Sequence, residues 1–335
     1  MSLSRHSSGG YLGWTIRALW AIAALSGSTA FAQVSFDDDL FGVRIDARQP
    51  TTLWGYTQIR NPAATAADPA TRFFSGLFRS TDNGATWTSL RVPWQRARIR
   101  QVELDPLASG VAYVLVWAGR QYMWRTQDGG ANWTALTTGL PENGAPLASL
   151  YVHGNPAAVY LQLGNMLYKS ADGGQSFRPL GANGCASRVE HNRTDPRRLY
   201  CGSVNGDILS SADEGLTWTP GGRIPIGRPG VLVSNDGIQV LSDPARPGLL
   251  LISVWGVTNS GSGDSIFDAV YRSPDGGRTF ARLNPMPSLH TLQASPDRRL
   301  VFVTGTGADF IRSRNFGDSW EQMSSPVGQL GDLGF

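Results

Sequence analysis

One eight-residue pattern recurs along the chain and constrains its fold more than any other feature. It first occurs at residues 80–87, and its consensus is Ser/Thr-x-Asp-x-Gly-x-Ser/Thr-Trp/Phe. Its third position is occupied by Asp82, Asp128, Asp172, Asp213, Asp275 and, in a degraded sixth copy, Asn315. Glycine adopts positive φ without steric cost, and Asp and Ser/Thr side chains bond to nearby backbone N–H groups. Each copy, here called an acidic turn, therefore predicts a structural hairpin turn, whose closing aromatic residue anchors the next strand.

Each acidic turn lies between two short apolar segments, which is typical of a β-hairpin. Successive copies are 46, 44, 41, 62 and 40 residues apart. Repeats of about 40–50 residues with several short strands each are typical of β-propeller blades. The sequence thus predicts an all-β protein, a six-bladed β-propeller with four-stranded antiparallel blades. A seven-bladed ring, completed by the two ends of the chain, is the alternative.

The six copies resemble the BNR or Asp-box repeat, and the resemblance extends over residues 43–323. That repeat occurs in sialidases, sortilin-type receptors, xyloglucan-degrading glycosidases and the photosystem II stability/assembly factor family. The chain looks closest to the assembly-factor-like and sortilin-type repeat proteins. The resemblance implies the propeller fold, but it implies no single activity, because one fold hosts many functions.

The first 32 residues have the pattern of a secretory signal peptide. Arg5 and Arg17 precede the apolar run 18–25, and Ala30-Phe31-Ala32 supplies a cleavage site. A membrane anchor is the alternative interpretation. We expect cleavage near Ala32, export to the periplasm or the extracellular space, and no membrane-spanning segment in the mature chain. Residues 33–42 are then a lead-in segment, 43–323 a single propeller domain, and 324–335 a C-terminal tail.

The charge balance argues against a nucleic-acid partner. The chain has 29 basic and 26 acidic residues, and removal of Arg5 and Arg17 leaves 27 and 26. Charge-driven binding of nucleic acid requires a strongly basic surface. Because the sequence also contains no phosphate-binding loop and no metal-ligand spacing, we expect no cofactor and no metal. The expected partner is a protein or a glycan, and the expected state is a monomer.

Cys185 and Cys201 are the only cysteines. They lie on two predicted antiparallel strands, near residues 187–191 and 198–202, which suits a disulfide. Such a bridge closes a loop of about 15 residues and contributes roughly 3 kcal/mol in the chain-entropy model. Two free thiols or a metal site are the alternatives, although a structural zinc needs further clustered ligands. The turn between the strands contains Asn192-Arg193-Thr194, which matches a glycosylation sequon.

In a propeller, the acidic turns share one face with the turns between first and second strands. The remaining loops share the opposite face, here called the loop face, where ligands usually bind. The predicted binding-face residues are Trp94, Arg96, Arg98, Arg100, Trp117, Arg223, Arg228, Trp255 and His290. Arginine with aromatic residues suits an anionic, carbohydrate or peptide partner. Alternatively, Trp117 and Trp255 pack between blades and the arginines form a solvated rim.

No catalytic residues are assigned, although Glu142, Asp264 and Asp268 are candidates: a two-carboxylate glycosidase could use Asp264 or Asp268 with Glu142 or Glu103. Sialidase chemistry needs three arginines, a Tyr–Glu pair and an acidic Asp. The segment Arg223-Ile224-Pro225 resembles the arginine motif of sialidases, but it follows the fourth acidic turn, whereas that family places it before the first. We therefore expect an exported, non-catalytic propeller that binds or assembles with a protein. A glycan-binding propeller or a sialidase-like glycoside hydrolase is the alternative.

Overall fold

The computed structural model describes residues 40–57, 59–60, 73–94, 97–117, 121–142, 148–153, 158–225, 237–259, 264–283, 289–295, 298–305 and 309–324. These residues form six four-stranded antiparallel sheets, arranged as a six-bladed β-propeller. The all-β, six-bladed prediction is confirmed, and the described residues contain no seventh sheet of four strands. Within these ranges, no helix is long and apolar enough to cross a membrane.

The four strands of each blade follow one another in the sequence. Blade 1 contains Leu40–Ile45, Leu53–Thr57, Leu77–Ser80 and Thr88–Ser89, with an inserted ribbon of Ile59–Arg60 and Phe73–Phe74. Blade 2 contains Arg98–Leu104, Ala112–Trp117, Gln121–Thr126 and Thr134–Leu136, and blade 3 contains Ala148–His153, Ala158–Leu163, Met166–Ser170 and Arg178–Ala182. Blade 4 contains Glu190–His191, Leu199–Gly202, Asp207–Ser211 and Thr219–Arg223. Blade 5 contains Ile238–Ser242, Leu250–Asn259, Asp264–Ser273 and Ala281–Arg282, and blade 6 contains Leu289–Ala294, Val301–Gly305, Asp309–Ser313 and Glu321–Ser324.

Each acidic turn joins the third and fourth strands of its blade through the same hydrogen bonds. In blade 3, the Ser170 hydroxyl accepts the Gly174 N–H at 2.7 Å and donates to Asp172 Oδ1 at 2.6 Å. The Asp172 carboxylate accepts the backbone N–H of Ser176 at 2.9 Å and its hydroxyl at 2.5 Å. Ser170 is buried, whereas Asp172 and Ser176 are exposed. The turn is therefore closed by a buried hydroxyl and braced on its outer side by a carboxylate.

Hydrogen bonds within the turns favour the ionised form of the acidic groups. They lower the pKa of Asp82, Asp128, Asp172 and Asp213 to about 2. Burial opposes the shift at Asp275, where the hydrogen bonds still lower the pKa to about 2. In the sixth turn, Asn315 accepts the Ser319 N–H and donates to the Ser319 hydroxyl, both at 2.9 Å. An amide thus preserves the turn without its charge.

Clusters of buried apolar side chains fill the spaces between successive blades from blade 1 to blade 6. The acidic turns take part in this packing. Gly174 has φ +91°, and a Cβ atom there would lie 2.7 Å from Leu136 Cδ1 of blade 2. The closing aromatic residue Phe177 is buried in the same cluster. The turn that shapes one blade therefore also sets its distance from the preceding blade.

Side-chain amides join the first strands of neighbouring blades. The amide of Gln101 in blade 2 accepts the Leu150 N–H of blade 3 at 3.0 Å and donates to its carbonyl at 2.7 Å. Gln239 of blade 5 makes the same pair of bonds with Leu292 of blade 6, at 3.1 and 2.7 Å. Each amide pairs with a peptide group as a neighbouring strand would.

The first strand of blade 4 is shorter than the sequence predicts, since only Glu190–His191 pairs as a strand. The preceding peptide groups bond both to their own blade, where the Ser187 N–H donates to Gly202 O at 3.1 Å, and to blade 3. In blade 3 the Gln162 amide donates to Ser187 O at 3.1 Å and accepts the Val189 N–H at 3.2 Å. Cys185 and Cys201 lie at disulfide distance, with their Cα atoms 5.7 Å apart. The cysteine pair therefore ties this irregular segment to the second strand of its own blade.

The sequon at Asn192 is not presented at the surface. Asn192 is 1% exposed, and its amide nitrogen donates to the carbonyl of Asp243 in blade 5 at 3.1 Å. Its amide oxygen accepts the N–H groups of Thr194 and Asp195, which closes the turn between the first two strands. A glycan attaches to the amide nitrogen, so the folded protein does not offer this site for glycosylation.

Candidate functional site

The loop-face ends of several first strands are irregular. A register shift leaves one extra residue in the first strands of three blades: Gly42 in blade 1, Arg100 in blade 2 and His290 in blade 6. β-Bulges redirect side chains and are frequent next to functional sites. In a propeller the first strands surround the central channel, so these bulges mark its loop-face entrance as a candidate site.

Two arginines lie together at this entrance in blade 2. Arg98 and Arg100, here called the arginine pair, begin the first strand of the blade, and both are half-buried. Arg98 lies directly opposite the half-buried Trp117, the last residue of the second strand. Burial lowers the pKa of Arg98, and the positive charge of Arg100 lowers it further. Like charges held close in a partly buried position favour the approach of an anionic group, which guanidinium groups bind in a bidentate manner.

Two other predicted binding-face residues have different surroundings. Trp94 is 8% exposed and packs against Trp124 and Trp133, with ring centroids 5.9 and 5.2 Å away. The ring of Trp94 thus belongs to the apolar cluster between blades 1 and 2, and its place on the binding face stays a prediction. Arg223 is exposed, but its guanidinium binds Asp207 at 2.8 Å within blade 4. Its charge is thus already balanced by a carboxylate.

The remaining predicted residues of the binding face are only partly described. Arg96 and Arg228 lie outside the described residues. Trp255 and His290 are described through their backbones alone, in the second strand of blade 5 and the first strand of blade 6. Their roles on the loop face stay predictions.

The candidate carboxylates of a glycosidase come from two parts of the chain, Asp264 and Asp268 from blade 5, and Glu103 and Glu142 from blade 2 and the loop after it. Asp264 and Asp268 lie on one strand of the long hairpin in blade 5, opposite Asn259 and Trp255. Four residues along a strand separate their Cα atoms by about 13 Å. The two carboxyl groups of a glycosidase are about 5 to 9.5 Å apart. Glu142 is exposed at the loop after blade 2 and stays a separate candidate.

Two glutamates of the first strands are held by arginines. Glu103 accepts a hydrogen bond from Arg44 of blade 1 at 3.3 Å. Glu190 of blade 4 accepts two bonds from the Arg298 guanidinium of blade 6, at 2.9 and 3.0 Å, and one from the Ser242 N–H of blade 5 at 3.0 Å. Both carboxylates link blades, and breaking the Arg298–Glu190 pair is the costlier of the two because that pair is buried.

A further polar cluster lies on the opposite face, between blades 3 and 4. It contains Tyr151, His153, Tyr160 and His191, and we call it the Tyr–His cluster. In the sequence both histidines lie close to predicted strand turns, and no motif assigns them a role. No pattern in the sequence indicates the cluster, because its members come from two blades and meet only when the blades pack.

Comparisons with known proteins agree with the fold. No family model matches the chain. A curated xyloglucanase of Paenibacillus sp is 24% identical in an alignment over 248 residues that covers 62% of this chain. The match covers 23% of that enzyme, so the chain spans about a quarter of the length of the curated relative.

Solved structures with a similar fold belong to two kinds of protein. The GH74 xyloglucanase from Xanthomonas campestris has a TM-score of 0.61 at 20% identity, covering 84% of this chain and 46% of the enzyme. YCF48 from Cyanidioschyzon merolae has a TM-score of 0.56 at 17% identity, covering 88% of this chain and 87% of YCF48. A structure of YCF48 bound to D1 peptide has a TM-score of 0.54 at 15% identity, with coverages of 87% and 83%. At these identities the likeness shows the fold alone.

Proposed function

We propose that the protein is an exported, non-catalytic propeller that binds a partner protein through its loop face. The arginine pair anchors a carboxylate of that partner, and Trp117 contacts its apolar part. The observation that carries the proposal is the position of Arg98 beside Arg100 in a half-buried strand, directly opposite Trp117. Export is supported by the signal-peptide pattern and by the two cysteines at disulfide distance, since disulfides persist in oxidising compartments.

The comparisons support a peptide-binding role without identifying the peptide. YCF48, whose fold covers most of this chain and most of its own length, has been solved bound to a peptide. A single propeller of this size therefore binds a peptide in at least one similar protein. For the present chain, the charge of the arginine pair favours a peptide that carries Asp, Glu or a free C-terminal carboxylate.

Acidic peptides provide the test, compared with amidated counterparts, in which Asn and Gln replace Asp and Glu and the C-terminus is an amide. Fluorescence anisotropy of labelled Asp- and Glu-rich peptides measures their dissociation constants from the mature protein. We expect R98Q and R100Q each to weaken binding about tenfold or more, because a hydrogen bond to a charged group contributes about 1.5–3 kcal/mol. Amidated peptides bind weakly, and the affinity of acidic peptides falls as salt is added.

R278Q is the matched control for these variants. Arg278 is exposed in the fifth acidic turn, on the other face of the ring, so its loss removes the same charge without touching the proposed site. Melting temperatures of all three variants separate loss of binding from loss of folding. Equal binding by R98Q, R100Q and R278Q, or equal binding of acidic and amidated peptides, contradicts the proposal.

A glycoside hydrolase acting on xyloglucan is the second candidate function. The xyloglucanase matches in both sequence and structure favour it. Release of reducing sugars from xyloglucan by the mature protein tests it, with E142Q, D264N and D268N as variants. Turnover that disappears in any of these variants at an unchanged melting temperature replaces the binding proposal with an enzymatic one.

A further inference from the structure

The face of the ring opposite the arginine pair carries a row of three aromatic rings between blades 3 and 4. His191, which ends the first strand of blade 4, is 1% exposed, and its ring stacks on that of Tyr151 at 3.7 Å with an interplanar angle of 7°. Tyr151 also stacks with His153 at 6.0 Å, and its hydroxyl lies 3.5 Å from His153 Nδ1. His153 is half-buried. The row thus leads from the surface into the space between the blades.

The cluster contains buried polar atoms without a protein partner. Nδ1 of His191 and the hydroxyl of Tyr160 are both buried, and neither makes a hydrogen bond. Tyr160 also contacts the His191 ring, at 4.6 Å. Buried polar atoms are nearly always paired, and an unpaired one calls for an explanation such as an ordered water, a bound ion or a functional role. The region around this row therefore has unused hydrogen-bonding capacity.

The turn that follows His191 supplies positive charge. Arg193 lies two residues after His191 and is exposed, whereas Arg197 and Arg198 of the same turn are both paired with Asp195. A second guanidinium comes from Arg298, which binds the Glu190 carboxylate next to His191 and has a buried Nε without a partner. Both guanidinium groups thus act electrostatically on Tyr151, and Arg298 has a carboxylate partner.

We propose that Arg193, His153 and Tyr151 form a binding site for a small oxyanion, such as a sulfate or phosphate group, on the acidic-turn face between blades 3 and 4. Arg193 supplies the permanent charge and a planar pair of donors, which suits an oxyanion. His153 supplies an N–H, and the Tyr151 hydroxyl supplies another donor. Burial raises the pKa of Tyr151 to about 12, so this hydroxyl stays protonated.

Binding at this site takes up a proton on His153. Burial lowers the pKa of His153, and Arg193 lowers it further, so the ring is neutral in the empty site at neutral pH. Arg193 and Lys169 disfavour the protonation of His153, whereas Glu214 and Asp195 favour it. Its other titratable neighbours are Tyr151 and His191. A bound anion offsets the positive charges and favours the imidazolium, so the affinity increases as the pH falls.

Calorimetric titration of the mature protein with sodium sulfate at constant ionic strength tests the site. Sulfate is the first probe because its charge is constant from about pH 8 to about pH 6, where histidine titrates. We expect binding that is several-fold tighter at the lower pH, and a His153 pKa, followed by NMR, that rises when sulfate is added. R193Q reduces the affinity at least about tenfold. H153Q still binds sulfate but loses the pH dependence.

Two variants remote from the site are controls. R278Q removes an exposed arginine elsewhere on the same face, and R48Q removes another from the turn between the first and second strands of blade 1. Both should bind sulfate as the unaltered protein does, so the test is independent of the proposed loop-face function. Titrations with phenyl phosphate and acetate then show whether a phosphate ester or a carboxylate is preferred. Failure of all three anions to bind, wild-type affinity in R193Q, or unchanged pH dependence in H153Q overturns the proposal.

Discussion

At the scale of single residues, the buried hydroxyl of each acidic turn contributes more to the fold than the acidic group that makes the repeat visible. Ser170 satisfies the buried N–H of Gly174, whereas the Asp172 carboxylate and Ser176 face solvent. A buried N–H without a partner costs free energy, but an exposed group regains its hydrogen bonds from water. The residue that identifies the motif is thus not the one on which the stability of the turn mainly depends.

We expect Ser170→Ala to lower the free energy of unfolding by about 1–3 kcal/mol, because it leaves the Gly174 N–H buried and unpaired. Urea denaturation followed by tryptophan fluorescence measures the loss. Ser176→Ala is the matched control, since it removes a hydroxyl of the same turn from an exposed position. Equal losses in the two variants would show that burial of the hydroxyl is not the cause.

At the scale of strands and turns, glycine in the acidic turn determines how closely two blades approach. Gly174 and Gly181 both have positive φ in blade 3, at +91° and +116°. A Cβ at Gly174 would collide with Leu136, whereas a Cβ at Gly181 would meet no atom within 4 Å. The same backbone requirement is therefore combined with close packing at one position and with open space at the other.

Gly174→Ala is expected to destabilise the protein by about 1–3 kcal/mol more than Gly181→Ala, the typical effect of overpacking. Both variants put alanine at positive φ, so the difference between them isolates the contact with Leu136. Thermal and urea unfolding of the two purified variants give the comparison. A larger loss in Gly181→Ala would mean that backbone strain, and not the spacing of the blades, explains the glycine.

The cysteine pair stabilises the irregular segment before the short first strand of blade 4. The segment before Glu190 bonds to Gly202 of its own blade and to Gln162 of blade 3, and the cysteine pair adds a link to the strand Leu199–Gly202. We expect Cys201→Ser to lower the free energy of unfolding by roughly 3 kcal/mol. Dithiothreitol should lower the stability of the unaltered protein in the same way and leave a C185S/C201S variant unchanged. Full stability of the unaltered protein in dithiothreitol would contradict a bridged pair.

At the scale of the whole molecule, contacts between distant parts of the chain make the ring sensitive to acid. His191 is buried between blades 3 and 4, and burial lowers its pKa well below the ordinary 6.5. A base with a lowered pKa stabilises the folded state fully above about pH 6.5, and this stabilisation is lost as the pH falls below that value. The carboxylates of the acidic turns have a pKa lowered from 3.8 to about 2, so their contribution is lost between about pH 4 and pH 2.

We therefore expect the melting temperature of the mature protein to fall with acidification in two separate ranges. His191→Phe should flatten the upper range, below about pH 6.5, because phenylalanine keeps the stacking without a titrating group. A smaller dependence of the melting temperature on pH remains in this range, because the pKa of His153 is also lowered. The lower range, where the acidic turns titrate, stays unchanged. If the melting temperature of His191→Phe falls as steeply below pH 6.5 as that of the unaltered protein, other groups cause the loss of stability in this range.

The sequence by itself determined the repeat, and through it the all-β class, the number of blades and the turn in each. The reason is that each acidic turn forms its hydrogen bonds within about four residues, so the residue types and their spacing specify it locally. The first strand of blade 4 was not predictable in this way, because its peptide groups bond to Gln162 of another blade.

Only the tertiary structure decided which side chains meet. Trp94 lies in a loop by sequence, yet its ring is buried against Trp133 of the next blade. Arg298 binds Glu190 from 108 residues away, and the ring of His191 stacks on that of Tyr151, which belongs to the preceding blade. Such contacts form only when the blades pack, and the position of Arg100 depends in the same way on a bulge. Blade packing is driven by the burial of apolar surface that many residues share. A repeat read along one chain therefore specifies the ring, while both candidate sites arise from the places where its blades differ and meet.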